Sequence, residues 1–313
     1  MTIKTMAALA AGALLATAAV AQTPWYPSKW GANDQIGAAN YLTPEVALEA
    51  AKLVKTGKTY SLGITVSTST PAYPPRTCSI YIVQPGQTGS TEGLGPTKTT
   101  YNDDILNCWT GIGTQLDGLG HIGVGERYYN GNKWSEIADI GGLKKLGAHA
   151  VPPMVTRGVL LDMAAYLGVD VVKEGTAFNK SEIDGAAAKQ GVTLRQGDVV
   201  IFHTGWLSLI DKDPKRYAAG EPGIGREGAR HLVSKGVVAV GADTWGVEAI
   251  PFEKDAGIFE VHQILLPMNG TYLLENVNTA ELAKDKAYEF LFVLGQNKYQ
   301  GAVQSMVNPV AIR

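Results

Sequence analysis

The sequence predicts a mixed α/β fold. Short apolar runs of β-forming residues alternate with capped helical segments through the second half of the chain, which is typical of a sheet covered by helices. The chain has 313 residues, 45% of them hydrophobic, so it can bury one large core or two small ones. Because no internal repeat, charge run or linker divides residues 22–313, we expect them to form a single domain.

The first 21 residues have the features of a secretory signal peptide. Lys4 is their only charge, an apolar run covers residues 6–20, and Ala19-Val20-Ala21 matches the small-x-small cleavage pattern. The apolar run is shorter than the roughly 20 residues that a membrane span requires. We therefore expect cleavage near Ala21, a mature chain that starts at Gln22, and export to the periplasm or the medium.

The first half of the mature chain predicts one helix, two strands and two loops. Thr43, Pro44 and Glu45 supply an N-cap, a first-turn proline and an acidic first turn, and the helical spacing of apolar residues continues until Gly57. The segments that follow are a β-rich run at 59–66, a short strand at 79–83, and proline- and glycine-rich loops at 70–76 and 85–96. We expect these two loops to lie over a site.

The second half alternates strands with helices. Strands are predicted at 159–163, Val199–His203, 237–241, 271–274 and Glu289–Leu294, and helices at 181–190, Arg226–Lys235 and 279–286. Ser181 and Asp184 have the spacing of a cap for the first of these helices. Asp243, Thr244 and Glu275 follow directly after strands, which is where α/β proteins place ligand contacts.

Charge and cysteine content limit the classes of partner. The formal net charge of −2 becomes −3 once Lys4 is removed, so the chain lacks the basic footprint of nucleic-acid binders. We expect a small-molecule partner, with no nucleic acid and no membrane. Cys78 and Cys108, the only two cysteines, either pair in an oxidising compartment or stay as buried thiols, and the sequence does not decide between these.

Residues 109–121 carry the clearest site chemistry. Gln115, Asp117 and His121 place an amide, a carboxylate and an imidazole in a glycine-rich turn, which lets the backbone approach a ligand closely. Residues 118–123 also spell a formal GxGxxG. Gly125 and further turn residues follow where a dinucleotide-binding helix would have to begin, so nucleotide binding is not favoured.

Two of the five histidines, His121 and His262, are each followed or preceded by a nearby carboxylate residue. Asp117 lies four residues before His121, and Glu275 follows His262 at the end of the next predicted strand. If these segments converge, imidazole and carboxylates can hold a divalent ion that activates water, while another histidine moves the proton. Otherwise they are four separately satisfied polar residues. His203, at a strand end, is equally open to a binding or a structural role.

Three segments carry a resemblance to a known family. Residues 30–45 read WGANDQIGAANYLTPE, residues 241–248 read GADTWGVE, and the central segment aligns with the pattern H-x-G-T-H-x-D-x-P-x-H. The chain resembles the cyclase family of metal-dependent hydrolases, which includes bacterial kynurenine formamidase and isatin hydrolase. Four positions of the central pattern match: Gly113, Thr114, Asp117 and His121. The first two histidines of the pattern fall on Gly111 and Gln115.

The resemblance implies a fold, a site and an activity. The fold is a swivelling β/β/α domain with a central mixed barrel-like sheet and surrounding helices, assembled as a homodimer or homotetramer. The implied metal ligands are Asp117, His262 and Glu275, with Gln115 as a neutral oxygen ligand, for one Zn²⁺ or Mn²⁺ per chain. Metal-activated water would attack an amide or lactam carbonyl of the N-formylkynurenine or isatin type, and His121 would be the general acid and base.

Substrate contacts and alternative functions complete the sequence predictions. Trp109, Trp206 and Trp245 adjoin predicted site segments and, with His203, are candidates to line a substrate pocket, although tryptophan more often packs in a core. A lactone hydrolase or a cyclase is open on the same fold. A non-catalytic small-molecule binding protein with a degenerate metal site is also open, because of Gly111 and Gln115.

Overall fold

The structure is a computed structural model that describes residues 24–83 and 93–313; the predicted signal peptide and most of the 85–96 loop lie outside the described residues. The strands are β1 (Thr59–Ser61), β2 (Cys78–Val83), β3 (Asp103–Cys108), β4 (Gln115–Asp117), β5 (Ala138–Asp139), β6 (Gly142–Leu143), β7 (Met154–Asp162), β8 (Ala177–Phe178), β9 (Val199–His203), β10 (Gly223–Ile224), β11 (Ala239–Ala242), β12 (Tyr272–Glu275), β13 (Glu289–Leu294), β14 (Gln304–Met306) and β15 (Val310–Ile312). The α-helices are α1 (Pro44–Ala51), α2 (Trp134–Ile137), α3 (Met163–Leu167), α4 (Lys180–Gln190), α5 (Leu209–Lys212), α6 (Pro214–Ala219), α7 (Arg226–Lys235), α8 (Glu260–Asn269) and α9 (Ala280–Lys284).

A mixed sheet of nine strands organises the described residues. Its order is β1-β15-β13-β7-β9-β11-β12-β4-β14. The four central strands, β7, β9, β11 and β12, run parallel, and antiparallel strands continue the sheet on both sides. Helices surround this sheet. The predicted α/β class with a central mixed barrel-like sheet is confirmed.

The parallel strands are apolar because both of their faces are covered. Val199, Val200, Ile201 and Phe202 of β9 are all fully buried, as are the residues of β11. Since parallel strands end at one edge of the sheet, His203 of β9 lies opposite Asp162 of β7 in register. The central strands therefore bring their polar terminal residues to a single edge.

Helix α8 was not predicted from the sequence, because its N-terminus carries no capping signal. Phe259 at the N-cap position makes no side-chain cap, and Pro267 lies inside the helix. Helix α4 was predicted, but its N-terminus differs: Glu182 accepts a hydrogen bond from the Asn179 backbone N–H at 2.9 Å, whereas the sequence favoured Ser181 and Asp184. Helix α7 and strands β9 and β13 have the predicted bounds.

Strands β2 and β3 form a separate two-stranded hairpin. Cys78 lies opposite Cys108 in its register, and the two form a disulfide. The question that the sequence left open is thus decided in favour of pairing. In the part of the chain that the structure describes, no helix is long and apolar enough to cross a membrane.

Candidate metal centre and active site

Three neighbouring strands present polar side chains to one face of the sheet. Gln115 and Asp117 are two residues apart on β4, so they point to the same side. Antiparallel pairing places Glu275 of β12 opposite Gln115, and Gln304 of β14 opposite Asp117. All four side chains therefore share this face, and all four residues are buried.

A glycine turn after β4 returns the chain over this group. The backbone N–H of His121 donates to Gly118 O at 3.0 Å, and a Cβ on Gly118 would lie 2.6 Å from Val303 O, so the turn has no room for a side chain there. His121 Nε2 lies 3.8 Å from Asp117 Oδ2 and 3.3 Å from Gln304 Nε2. The turn therefore places an imidazole beside the carboxylate.

Helix α8 contributes His262 in its first turn. His262 Nδ1 lies 2.7 Å from Glu248 Oε1, and Nε2 lies 3.4 Å from Glu275 Oε1. Glu248 also accepts a hydrogen bond from the Val261 backbone N–H at 3.1 Å. A carboxylate that holds one ring nitrogen of a histidine leaves the other free for a metal, which is the usual arrangement around metal-bound histidine.

The donor set fits a divalent metal ion. One ligand atom from each of Asp117, His262 and Glu275 lies within 4.8 Å of the others, and all three residues are buried. Asp117 Oδ2 is buried without a hydrogen-bond partner among the described residues. Such an oxygen is costly to bury unless a cation or donor faces it. One imidazole with two carboxylates is a set that Zn²⁺ and Mn²⁺ accept.

Gln115 lies between the two carboxylates. Its Nε2 donates to Asp117 Oδ1 at 3.0 Å and to Glu275 Oε2 at 2.6 Å, while its Oε1 has no partner within the described ranges. The amide thus orients both candidate ligands through its nitrogen. Oxygen ligation by Gln115 stays a prediction.

The surroundings raise the pKa of Glu275 and lower the pKa of His121. Burial, with the nearby charge of Asp117, raises the pKa of Glu275 to about 7. Burial lowers the pKa of His121 below its usual value, which keeps its ring neutral at pH 7 and able to accept a proton. Ionisation of Glu275 is thus disfavoured until a cation joins it.

Two of the candidate ligands, His262 and Glu275, line a cavity of about 180 Å³ with aromatic walls. The ring of Tyr73 lies 5.8 Å from Trp245 and 6.1 Å from Phe259, measured between centroids. The lining residues are Tyr73, Arg76, His121, Ile122, Trp245, Gly246, Phe259, His262 and Glu275. The structure thus brings Trp245 and the predicted 70–76 loop to the site.

Three predicted substrate contacts lie elsewhere. Trp206 is fully buried in a small core cluster and its Nε1 donates to Tyr217 O, so it is a core residue. Trp109, 52% exposed just after β3, does not line the cavity. His203 lines a different cavity of about 720 Å³, because β11 and β12 separate its strand from β4. None of these three residues lines the cavity of the candidate metal centre, so the pocket role of Trp206 is corrected and those of Trp109 and His203 stay predictions.

Sequence reasoning missed three polar residues of the site. Glu248 stood in the 241–248 signature without a role, Arg76 ended a predicted loop, and Gln304 lies in a C-terminal segment with no recognised motif. Gln304 Nε2 donates to Asp117 Oδ1 at 2.8 Å across a separation of 187 residues. No local signal in the sequence predicts such a contact.

The mixed nine-stranded sheet carries a buried histidine–carboxylate cluster that could hold a metal ion. A family model described as putative cyclase matches residues 60–249, more than half of the chain. The chain therefore belongs to the cyclase family.

Solved structures agree with this assignment. One described as a novel cyclase is 33% identical, with a TM-score of 0.82, and the match covers 91% of this chain and 98% of that one. Isatin hydrolase A from Ralstonia solanacearum is 19% identical, with a TM-score of 0.62 and coverage of 87% and 98%. A potential metal-dependent hydrolase with cyclase activity is 14% identical, with a TM-score of 0.52 and coverage of 81% and 98%. The last two share the fold alone. A search of curated protein sequences found no match.

Proposed function

We propose that this protein is a metal-dependent hydrolase that cleaves a C–N bond of a small amide, formamide or cyclic amide, in the manner of an arylformamidase. The observation that carries the proposal is the convergence of Asp117, His262 and Glu275. The unpartnered Asp117 Oδ2 lies beside His121, which lines an aromatic-walled cavity. Isatin hydrolases among the structural neighbours support a cyclic amide as one substrate type.

The site residues have separate roles in the proposed reaction. A divalent ion held by Asp117, His262 and Glu275 would lower the pKa of water and polarise the substrate carbonyl. His121 accepts a proton at Nε2 as the water attacks and returns it to the departing nitrogen, because burial keeps its ring neutral beforehand. Trp245 and Tyr73 hold the flat part of the substrate and keep bulk water away.

The test is elemental analysis of the mature protein before and after dialysis against a chelator, with hydrolysis of N-formylkynurenine, isatin, and a panel of esters and lactones measured on both samples. We expect about one Zn²⁺ or Mn²⁺ per chain and turnover that chelation abolishes. Lactone turnover without amide turnover would instead indicate a lactone hydrolase. Protein that stays inert after metal is added back would contradict the proposal and favour a binding protein.

Variants separate proton transfer from metal binding. His121→Ala should lower turnover by about 100-fold or more while metal content stays unchanged. Glu275→Ala and His262→Ala should empty the site. His231→Gln is the matched control, because His231 lies in α7 and pairs with Asp184 away from the cavity. Full activity in His121→Ala would contradict the acid–base role.

We also propose that the chain is exported after cleavage near Ala21 and works as a homodimer or homotetramer. The Cys78–Cys108 disulfide supports export, since disulfides persist in oxidising compartments. Mass spectrometry of the secreted or periplasmic protein should give an N-terminus at Gln22, and light scattering should give two or four times the mass of the mature chain. A retained leader would contradict export, and a monomer would contradict the assembly.

A further inference from the structure

Arg76 is a cation in the candidate site that the proposed chemistry does not use. It lines the same cavity as His121, His262 and Glu275, and its charge acts on the pKa values of His121 and Glu275. Its Nη1 donates to Gly111 O at 2.8 Å, and this is the one side-chain hydrogen bond of Arg76 among the described residues. A guanidinium has five N–H donors, so the others remain for a ligand in the cavity.

The position of Arg76 depends on a missing side chain at residue 111. A Cβ built on Gly111 would lie 2.8 Å from Arg76 Nη1 and 2.7 Å from Gln304 Oε1, closer than such contacts occur. The Arg76 backbone N–H also donates to Tyr73 O at 3.0 Å, which fixes the turn that carries it. The Gly111 carbonyl, together with the absence of a Cβ at residue 111, therefore holds the Arg76 guanidinium in place rather than letting it extend freely into solvent.

We propose that Arg76 binds a carboxylate group of the substrate, so that the enzyme acts on aromatic amides that carry a carboxylate. A planar guanidinium matches a carboxylate through paired hydrogen bonds. The rings of Tyr73, Trp245 and Phe259 line the same cavity and accept the flat apolar part. A phosphate dianion is disfavoured, because Asp117 and Glu275 lie beside the cavity and would repel its second charge.

Binding can be tested without relying on the proposed reaction. Benzoate and its neutral counterpart benzamide are titrated into chelator-treated protein by calorimetry, so that a bound metal cannot itself attract the carboxylate. We expect benzoate to bind wild-type protein about tenfold more tightly than it binds Arg76→Met, with Arg76→Lys in between. Benzamide affinity should be the same in all three.

A second variant changes the position of the Arg76 guanidinium without removing its charge. Gly111→Ala should displace the guanidinium and weaken benzoate binding in the same direction as Arg76→Met, and the thermal unfolding midpoint of each variant shows whether it is folded. Equal benzoate affinity in wild type and Arg76→Met, or a benzamide affinity that falls equally with it, would overturn the inference.

The choice of substrate rests on the proposed function, and a kinetic comparison separates the two. If 2-formamidobenzoate and formanilide are both hydrolysed, the preference of the wild type for the carboxylate substrate should appear in KM and should disappear in Arg76→Met. If neither is hydrolysed but benzoate binding depends on Arg76, the reaction assignment fails while the anion site stands. A preference that survives in Arg76→Met would overturn the role of Arg76 in substrate choice.

Discussion

At the scale of single residues, buried carboxyl groups occur in two different surroundings. Glu221 is fully buried, burial raises its pKa well above the usual value, and its Oε1 has no partner among the described residues. Burial therefore favours its neutral, protonated form. Asp117 and Glu275 instead converge with His262, where a divalent ion can balance their charges. A proton can thus offset the cost of burying Glu221, and a divalent ion can offset the cost of burying Asp117 and Glu275.

Glu248 is predicted to control metal affinity without touching the metal. It accepts hydrogen bonds from His262 Nδ1 and the Val261 N–H, and both fix the ring of His262. Glu248→Gln should weaken metal binding by about 10- to 100-fold, because one of these acceptors becomes a donor. Competition with a chromogenic chelator measures the Kd for Zn²⁺. Glu260→Gln, at the start of the same helix, is the control, and an unchanged Kd in Glu248→Gln would contradict this role.

His203 is predicted to make stability depend on pH. Burial alone would lower its pKa, but Asp243, 3.3 Å away, and the charge of Asp162 together raise it above the usual value. A pKa that is higher in the folded state stabilises the fold below the pKa of the unfolded chain, and this contribution is lost as pH rises through the folded value.

The measurement is the free energy of unfolding of wild type and His203→Gln by urea at about pH 5.5 and about pH 8.5. The stability lost on substitution should be larger at the lower pH, since only the wild type gains from protonation. Groups elsewhere in the protein titrate in both proteins and cancel in the comparison. A difference that is independent of pH would show that folding does not raise the pKa of His203.

At the scale of elements, short strands at the end of the sheet carry the polar face. Strands β4 and β14 have three residues each, yet they align Gln115, Asp117 and Gln304 on one side. The sequence predicted neither strand, because a segment of three residues is too short to show the alternation of apolar and polar residues that indicates a strand. It did predict β12 and the delivery of Glu275 at its end, since apolar residues precede it.

Helix α7 gives a prediction in which packing outweighs helix propensity. Replacing an interior helical glycine with alanine usually stabilises a helix by about 1 kcal/mol. A Cβ on Gly228 would overlap the backbone carbonyl of Phe178, which cannot move aside. Gly228→Ala should therefore destabilise the protein by about 2 kcal/mol in chemical denaturation.

Gly185 in α4 is the matched control for this substitution. A Cβ there would meet the hydroxyl end of Tyr166, a partly exposed side chain that can rotate away. Gly185→Ala should be much less destabilising than Gly228→Ala. Equal effects of the two substitutions would indicate that the Phe178 contact is not what limits position 228.

At the scale of the whole molecule, the β2–β3 hairpin joins the disulfide to the site. Arg76 lies just before Cys78, and Gly111 follows shortly after Cys108. The disulfide therefore links the two chain segments that position the Arg76 guanidinium. Ile80, Ile82 and Leu106 are exposed on this hairpin, so its own apolar contacts do little to hold it.

Removal of the disulfide should loosen this part of the molecule. Cys78→Ala/Cys108→Ala should lower the free energy of unfolding by about 3 kcal/mol, because the cross-link closes a loop across 30 residues of sequence separation. Dithiothreitol should destabilise the wild type similarly and leave the double variant unaffected. Unfolding by guanidinium chloride measures both, and equal stability of the two proteins without reductant would contradict the prediction.

The sequence by itself determined the α/β class, helix α7 and strands β9 and β13. It also named Asp117, His121, His262 and Glu275 as candidate site residues. These features depend on local periods, caps, glycine turns and a family resemblance. The tertiary structure decided that Arg76, Glu248 and Gln304 join the site, that Trp206 is a core residue, and that Cys78 pairs with Cys108. These outcomes depend on strand order and register, which bring residues far apart in sequence into contact and which no local pattern specifies.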